Sequence, residues 1–179
     1  MKALILCGGK RGGFTSVMCE MFSSGLISEN IESSVMHPLE MNIGHCDGCG
    51  KCSDGKCVID DDMDIIYKAF GESDLLVLSS PIRFSGPSSI IKTVMDRFQV
   101  CWYNEGKRPS YFAALLNGGM ERPRFENVIS SFKAFSITID MEWLGELTIS
   151  KTDSLDIDDV RNPSTAFGKD IAAKIRNRL

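Results

Sequence analysis

The chain has 179 residues, 43% of them apolar, and a net charge of -4. That length is enough for one domain with a full core and short for two. Mild acidity with both signs interspersed excludes a basic nucleic-acid stripe, and no apolar run approaches the ~18 residues of a membrane helix.

The first element is KALILC at 2–7, an apolar run bounded by Gly8 and Gly9. It reads as a strand buried on both faces, and it is too short for the core of a secretory signal. Thr15 to about Gly25 follows as a helix with Val17, Met18, Met21 and Phe22 on one side. A weak strand, IESSVM, spans 31–36. His37 to Ile59 has no periodicity, and a connection of roughly twenty residues is far longer than the usual ~2–6 of an α/β loop. Long loops of this kind are usually functional.

Asp60, Asp61 and Asp62 open the next helix, where a carboxylate caps free N–H groups and suits the positive end of the dipole. Met63, Ile66, Tyr67 and Phe70 mark its buried face. Leu75–Leu78 is a strand stopped by the serines and proline at 79–81. Ser88 or Ser89 is expected to cap a helix carrying Ile91, Val94, Met95 and Phe98. YFAALLNGG at 111–119 is a strand ending in a glycine turn, and Phe125, Val128, Ile129 and Phe132 mark a fourth helix. ELTIS at 146–150 is a short strand, followed by a helix with Pro163 in its first turn and Phe167, Ile171, Ala172 and Ile175 inward. This alternation predicts an α/β, doubly wound, five-stranded parallel sheet of order 2-1-3-4-5, with ligands beyond the carboxyl ends of the strands. One domain is expected over 1–179, with a Cys-rich insertion loop at about 38–59.

The turn after the first strand is CGGKRGGFTS, residues 7–16. A triphosphate-binding loop needs Lys before its Thr, and here that position is Phe14. The dinucleotide glycine fingerprint is absent, and no acidic residue ends the second strand. Gly9, Lys10, Arg11, Gly13, Phe14, Thr15 and Ser16 remain as a glycine-rich, positively charged helix start that suits a phosphomonoester, or else as an ordinary tight turn. At the same sheet edge lie SSPIRFSGPSS, with Pro81, Ile82, Arg83 and Phe84, and NGGM, with Asn117, Gly118 and Gly119. Three such loops over one face make a flavin-sized site.

Between 46 and 57 the cysteines are spaced C-x2-C-x2-C-x4-C, at Cys46, Cys49, Cys52 and Cys57. Gly48, Gly50 and Gly55 let the backbone wrap around one centre. The first three match the start of a bacterial ferredoxin run; the fourth comes one residue later than in that run. A [4Fe–4S] cluster is the leading reading, with zinc, free thiols or a disulfide as alternatives. Seven cysteines in all argue against a closed disulfide framework, and a reducing cytoplasm is expected. His45 reads as a neighbour rather than a ligand. Cys7, Cys19 and Cys101 read as buried, inert thiols.

The cysteine run, GKCVIDDDM and SDLLVLSSPIRFSGPSSIIKTVMDR together resemble the iron–sulfur flavoproteins of the flavodoxin-like NAD(P)H-dependent FMN reductase superfamily. The resemblance covers about residues 1–120 and is specific over 46–97. It implies FMN at the strand carboxyl ends, a [4Fe–4S] cluster near it, NAD(P)H or a protein as electron partner, and a homodimer or homotetramer. The first loop resembles the family's G-S-P-R-x-G-G-N-T shortened by one residue, with Arg11, Gly13 and Thr15 matching. Gly9 stands where Ser is usual and Phe14 where Asn is usual. Two missing neutral hydrogen bonds, at about 0.5–1.5 kcal/mol each, are expected to weaken FMN about tenfold or more. In the second loop Pro81, Ile82 and Phe84 fit, and Arg83 replaces a common Tyr.

The expected function is electron transfer through FMN and a [4Fe–4S] cluster. The rivals are a flavin or quinone reductase without a cluster, and a non-enzymatic metal or redox sensor on the same frame. His37 and His45 are the only histidines and no nucleophile–His–acid order is present, so no catalytic side chain is assigned. The aromatic stretch FQVCWYNEG, 98–106, reads as a subunit interface, a lid or core packing.

Overall fold

The computed structural model describes residues 1–103 and 106–178. Its strands are β1 (Lys2–Cys7), β2 (Glu32–Met36), β3 (Leu75–Pro81), β4 (Tyr111–Asn117) and β5 (Glu142–Ile149). All pair in parallel, in the order β2-β1-β3-β4-β5. The helices are α1 (Phe14–Ser28), α2 (Met63–Gly71), α3 (Ser89–Arg97), the short α4 (Val100–Tyr103), α5 (Phe125–Thr138) and α6 (Arg161–Arg176). The predicted order and topology are those observed.

Strand alternation divides the apolar residues between two cores. Ala3, Ile5 and Cys7 of β1 and Ala113 and Leu115 of β4 face α1 and α6. Leu4 and Leu6 of β1 and Phe112, Ala114 and Leu116 of β4 face α2, α3 and α5. Because both faces are covered, β1, β3 and β4 read as continuous apolar runs with no polar alternation. Helices α1 and α6 pack backbone to backbone. A Cβ on Gly168 would lie 2.4 Å from the Phe22 carbonyl oxygen, and one on Gly25 only 2.3 Å from that of Thr165.

Several local expectations change. Helix α1 runs three residues past Gly25, and β5 begins at Glu142 rather than Glu146. Ser88 occupies the N-cap position of α3 without capping it; its N–H instead donates to Ser80 Oγ at 2.8 Å. Of the three aspartates before α2, Asp61 accepts from the Met63 N–H at 3.0 Å, while Asp62 accepts from Asn42 N–H across the loop. Phe98 is core, whereas Trp102 and Tyr103 are exposed; Asn104 and Glu105 lie outside the described residues. Among the described residues no helix is long and apolar enough to cross a membrane.

Candidate functional site

The loops after β1, β3 and β4 meet at the carboxyl edge of the sheet. Thr15 Oγ1 donates to Asn117 Oδ1 at 2.7 Å, tying the first loop to the third. The Ile82 N–H donates to the Asn117 carbonyl at 2.8 Å, tying the second to the third. Gly8 sits so close to Ser88 that a Cβ would fall 2.6 Å from its Oγ, which joins the first to the second.

Helix α1 starts at Phe14, and its N-cap Gly13 gives no side-chain cap. Its first N–H groups therefore lie open at the positive end of a 15-residue helix, with Lys10 and Arg11 exposed beside them. Arg11 pairs with Glu40 at 2.7 Å, both partly exposed. Thr15 and Ser16 are buried, and the Ser16 hydroxyl donates to Glu20 at 2.9 Å. Both hydroxyls are thus engaged within the protein, leaving the backbone N–H groups as what these residues offer a ligand. At Gly9 a Cβ would lie 2.5 Å from Thr15 Cβ and 2.7 Å from Oγ1. The loop leaves no room there for a serine side chain.

The second loop ends in a tight hairpin. Arg83 and Gly86 exchange N–H···O bonds of 2.9 and 2.8 Å around Phe84 and Ser85. Both central residues have positive φ, 47° and 63°, as a type I′ turn requires. A left-handed non-glycine residue costs about 1–2 kcal/mol, and Phe84 gains no burial in return, being fully exposed. Phe84, Ile82, Gly118, Gly119, Met120 and Arg124 help to line a cavity of about 370 Å³ between the second and third loops. The Gly118 N–H is already used by the Ile149 carbonyl at 2.9 Å.

A second site lies at the other end of α3. Cys46, Cys49, Cys52 and Cys57 all line one cavity of about 280 Å³, with Arg97 and Tyr103 among its other lining residues. Gly50 and Gly55, both in the left-handed conformation, flank the single helical turn that carries Cys52. All seven cysteines are free thiols. Among the described residues, no three His, Cys, Asp or Glu side chains converge closely enough to hold a single metal ion. His45 is exposed.

What holds this loop is a buried ion pair absent from the sequence reading. Arg97 Nη1 donates to Asp61 Oδ2 at 2.5 Å and Nη2 to Oδ1 at 3.0 Å; the two side chains are 1% and 4% exposed. Arg97 Nη1 also donates to the Gly44 carbonyl at 2.8 Å, and the Gly44 N–H donates to Asp61 Oδ2 at 2.8 Å. Gly44 and Asp61 bracket the cysteines, so a single guanidinium clips both ends of the loop. Burial raises the Asp61 carboxyl, but hydrogen bonds from Arg97, Gly44 and Met63 outweigh it and hold the group below its ordinary value. Arg97 Nε is buried with no partner. The available signal was an arginine set among core positions of α3 and three successive aspartates.

The other cysteines differ from one another. Cys7 and Cys19 are buried under the first loop. Contact with Cys19 lowers the Cys7 thiol, while burial pushes that of Cys19 well up. Cys101, expected to be buried, is only partly so because it borders a cavity with Tyr67, Phe70 and Cys57; burial still pushes its thiol up to about 11.

Two outcomes follow. Phe84→Asn relieves the left-handed strain and should raise the unfolding free energy by about 1 kcal/mol, read as a Tm increase of about 2–4 °C. Arg97→Ala leaves Asp61 charged and buried and should cost about 3–5 kcal/mol in denaturant unfolding.

Over residues 1–151 the chain matches the NADPH-dependent FMN reductase family. It is 34% identical over 99 residues to an iron–sulfur flavoprotein of Methanocaldococcus jannaschii, covering 54% of this chain and 51% of that one. An iron–sulfur flavoprotein of Methanosarcina thermophila is 36% identical over 91 residues, covering 50% and 48%. The chain thus spans about half the length of the curated relatives it matches. Among solved structures, a flavone reductase superposes with TM-score 0.73 at 20% identity, covering 97% of this chain and 62% of that one. An archaeal flavodoxin superposes with TM-score 0.63 at 16% identity, covering 98% and 99%. These two likenesses concern the fold alone. The chain belongs to the NADPH-dependent FMN reductase family, flavin oxidoreductases on a flavodoxin-like frame.

Proposed function

We propose that the chain carries FMN at the three strand-end loops and a [4Fe–4S] cluster in the four-cysteine cavity. It would pass electrons from a reduced donor, NAD(P)H or a protein, to an acceptor in the cytoplasm. The observation that carries this is the placement of two cavities at opposite ends of α3, one between the glycine loops and one walled by every cysteine of the motif. Helix α3 itself has nine residues and is about 12 Å long. When bound, FMN takes electrons in pairs and a cluster passes them singly.

The residues fit those groups. The uncapped start of α1, from Phe14 to Ser16, supplies N–H donors for the FMN phosphate, with Lys10 and Arg11 adding charge. The exposed Arg11–Glu40 pair is worth about 0–1 kcal/mol, so Arg11 turns to a phosphate at little cost. Phe84, Ile82, Arg83 and Pro81 of the second loop and Asn117, Gly118 and Gly119 of the third bound the flavin. The strained hairpin holds Phe84 as an apolar face for it. Cys46, Cys49, Cys52 and Cys57 each supply one thiolate. A single zinc ion needs four donors about 2.3 Å from one point, whereas cluster thiolates bind separate irons at the corners of a cube. The C-x2-C-x2-C-x4-C spacing, whose first three cysteines match a ferredoxin run, favours the cluster. Assembly as a homodimer or homotetramer would bury the exposed Trp102 and Tyr103 beside it.

Anaerobic purification, reconstitution with iron and sulfide, and FMN titration test the proposal. The expected result is a flavin spectrum, about four irons and four acid-labile sulfides per chain, and NAD(P)H oxidation. Flavin without sulfide would instead identify a flavin or quinone reductase with zinc or no metal. Metal without FMN affinity would identify a sensor. A colourless protein taking up neither overturns the reading. Gly9→Ser, which restores the family's usual residue, should weaken FMN about tenfold rather than strengthen it, because the new Cβ strikes Thr15.

A further inference from the structure

A further cavity, of about 310 Å³, opens beside the cysteine loop, between α2, α4 and the segment 106–108. It shares no described lining residue with the cavity between the second and third loops, and only Cys57 and Val100 with the four-cysteine cavity. Part of its lining is apolar: Tyr67 and Phe70 of α2, with Val100 and Cys101 of α4. These walls are held in place. Tyr67 and Phe70 pack against the Phe98 ring at 5.7 and 4.8 Å between centroids, and the Tyr67 hydroxyl donates to the Arg97 carbonyl at 2.6 Å. A Cβ on Gly71 would lie 3.5 Å from the Lys107 carbonyl oxygen, so the segment that carries Lys107 sits against the end of α2.

The charged part of the lining is one-sided. Lys56 and Lys107 are exposed, and neither ammonium has a partner among the described residues. Arg108 is partly buried, its Nη1 donating to the Ile139 carbonyl at 3.4 Å. Asp64 is the one carboxylate among the described lining residues. Three cations against one carboxylate make a local surplus in a chain whose net charge is -4. Lysine stems lie along apolar surface and keep the charge at its rim. Small-molecule sites have this build, a largely pre-formed, mostly apolar cleft of ~300–1,000 Å³ with a few placed polar groups. We infer that this cavity binds a small planar aromatic anion, its ring against Tyr67, Phe70 and Cys101 and its acidic group toward Lys56 and Lys107. A ligand seated here shares the wall of Cys57 and Val100 with the four-cysteine cavity and lies apart from the glycine-rich loops. The inference holds whether a cluster, zinc or nothing fills the four-cysteine cavity.

The test uses the full chain, loaded with FMN and reconstituted anaerobically with iron and sulfide, and 2-naphthoate as the probe. Cys101 borders the cavity and is not one of the four motif cysteines, so its alkylation by N-ethylmaleimide, read by peptide mass spectrometry, reports occupancy. At about ten times its Kd, 2-naphthoate should slow that alkylation about tenfold. Neutral 2-naphthamide, of nearly the same shape, should bind about tenfold more weakly. Lys56→Met/Lys107→Met should weaken 2-naphthoate by about the same factor and leave 2-naphthamide unchanged. Absence of saturable protection at Cys101 overturns the inference. So does equal affinity for the two probes, or a Kd for 2-naphthoate that the lysine substitutions do not move. Iron, sulfide and flavin contents of the same sample decide the functional reading separately. Protection without a cluster leaves this site standing, and a full cluster without protection removes this site alone. Should the double variant misfold, the two probes on the unsubstituted protein decide.

Discussion

The cysteine loop depends on one buried ion pair. A segment with no regular structure beyond two short helical turns cannot hold four side chains around a cavity by propensity alone, because each ordered residue costs about 1–2 kcal/mol of backbone entropy. Arg97 and Asp61 meet that difficulty at the loop's two ends. The pair is buried, bidentate and joined to both the N–H and the carbonyl of Gly44. Its neighbour Tyr67 donates to the Arg97 carbonyl at 2.6 Å, which fixes the end of α3 against α2. A buried pair of this kind is weak as a source of net stability and strong as a constraint, since breaking it strands a charge. Its worth lies in fixing where the loop begins and ends.

The glycine-rich loops after β1, β3 and β4 are built on the opposite principle. They hold few buried side chains and many short backbone contacts, and they are knitted to one another through Asn117, whose side chain and carbonyl reach two other loops. Strain sits at Phe84 and Ser85, which border the cavity between the second and third loops. Gly9 lies against Thr15, where a larger residue does not fit. Helix α3 joins the two regions: its first turn abuts the glycine loops and its last residue walls the cysteine cavity.

Much of this was legible from pattern. Continuous apolar runs such as KALILC can only be strands covered on both faces, and the spacing in α2, α3 and α5 marks one buried stripe each. From these the doubly wound order 2-1-3-4-5 is the leading expectation, and the hand of its parallel crossovers is set. The cysteine motif and the glycine turn are local signals, carried by residues close in sequence. What escaped was non-local. Asp61 read as a helix cap, yet its carboxylate also meets a partner 36 residues away. Ser88 stood where a cap belongs, but Ser80 competes for its place by accepting from its N–H. Ser16 and Thr15 read as phosphate ligands, while their hydroxyls turned to Glu20 and Asn117.

The sequence by itself determined the fold class, the leading strand order and the compact run of four cysteines, because period, run length and spacing are properties of neighbouring residues. Only the tertiary structure decided that all four cysteines share one cavity, that Arg97 and Asp61 clip the ends of their loop, and that the first glycine loop has no room for a side chain at position 9. Those facts come from atoms brought together across dozens of residues, where close packing and the pairing of buried charge act and no local pattern records them.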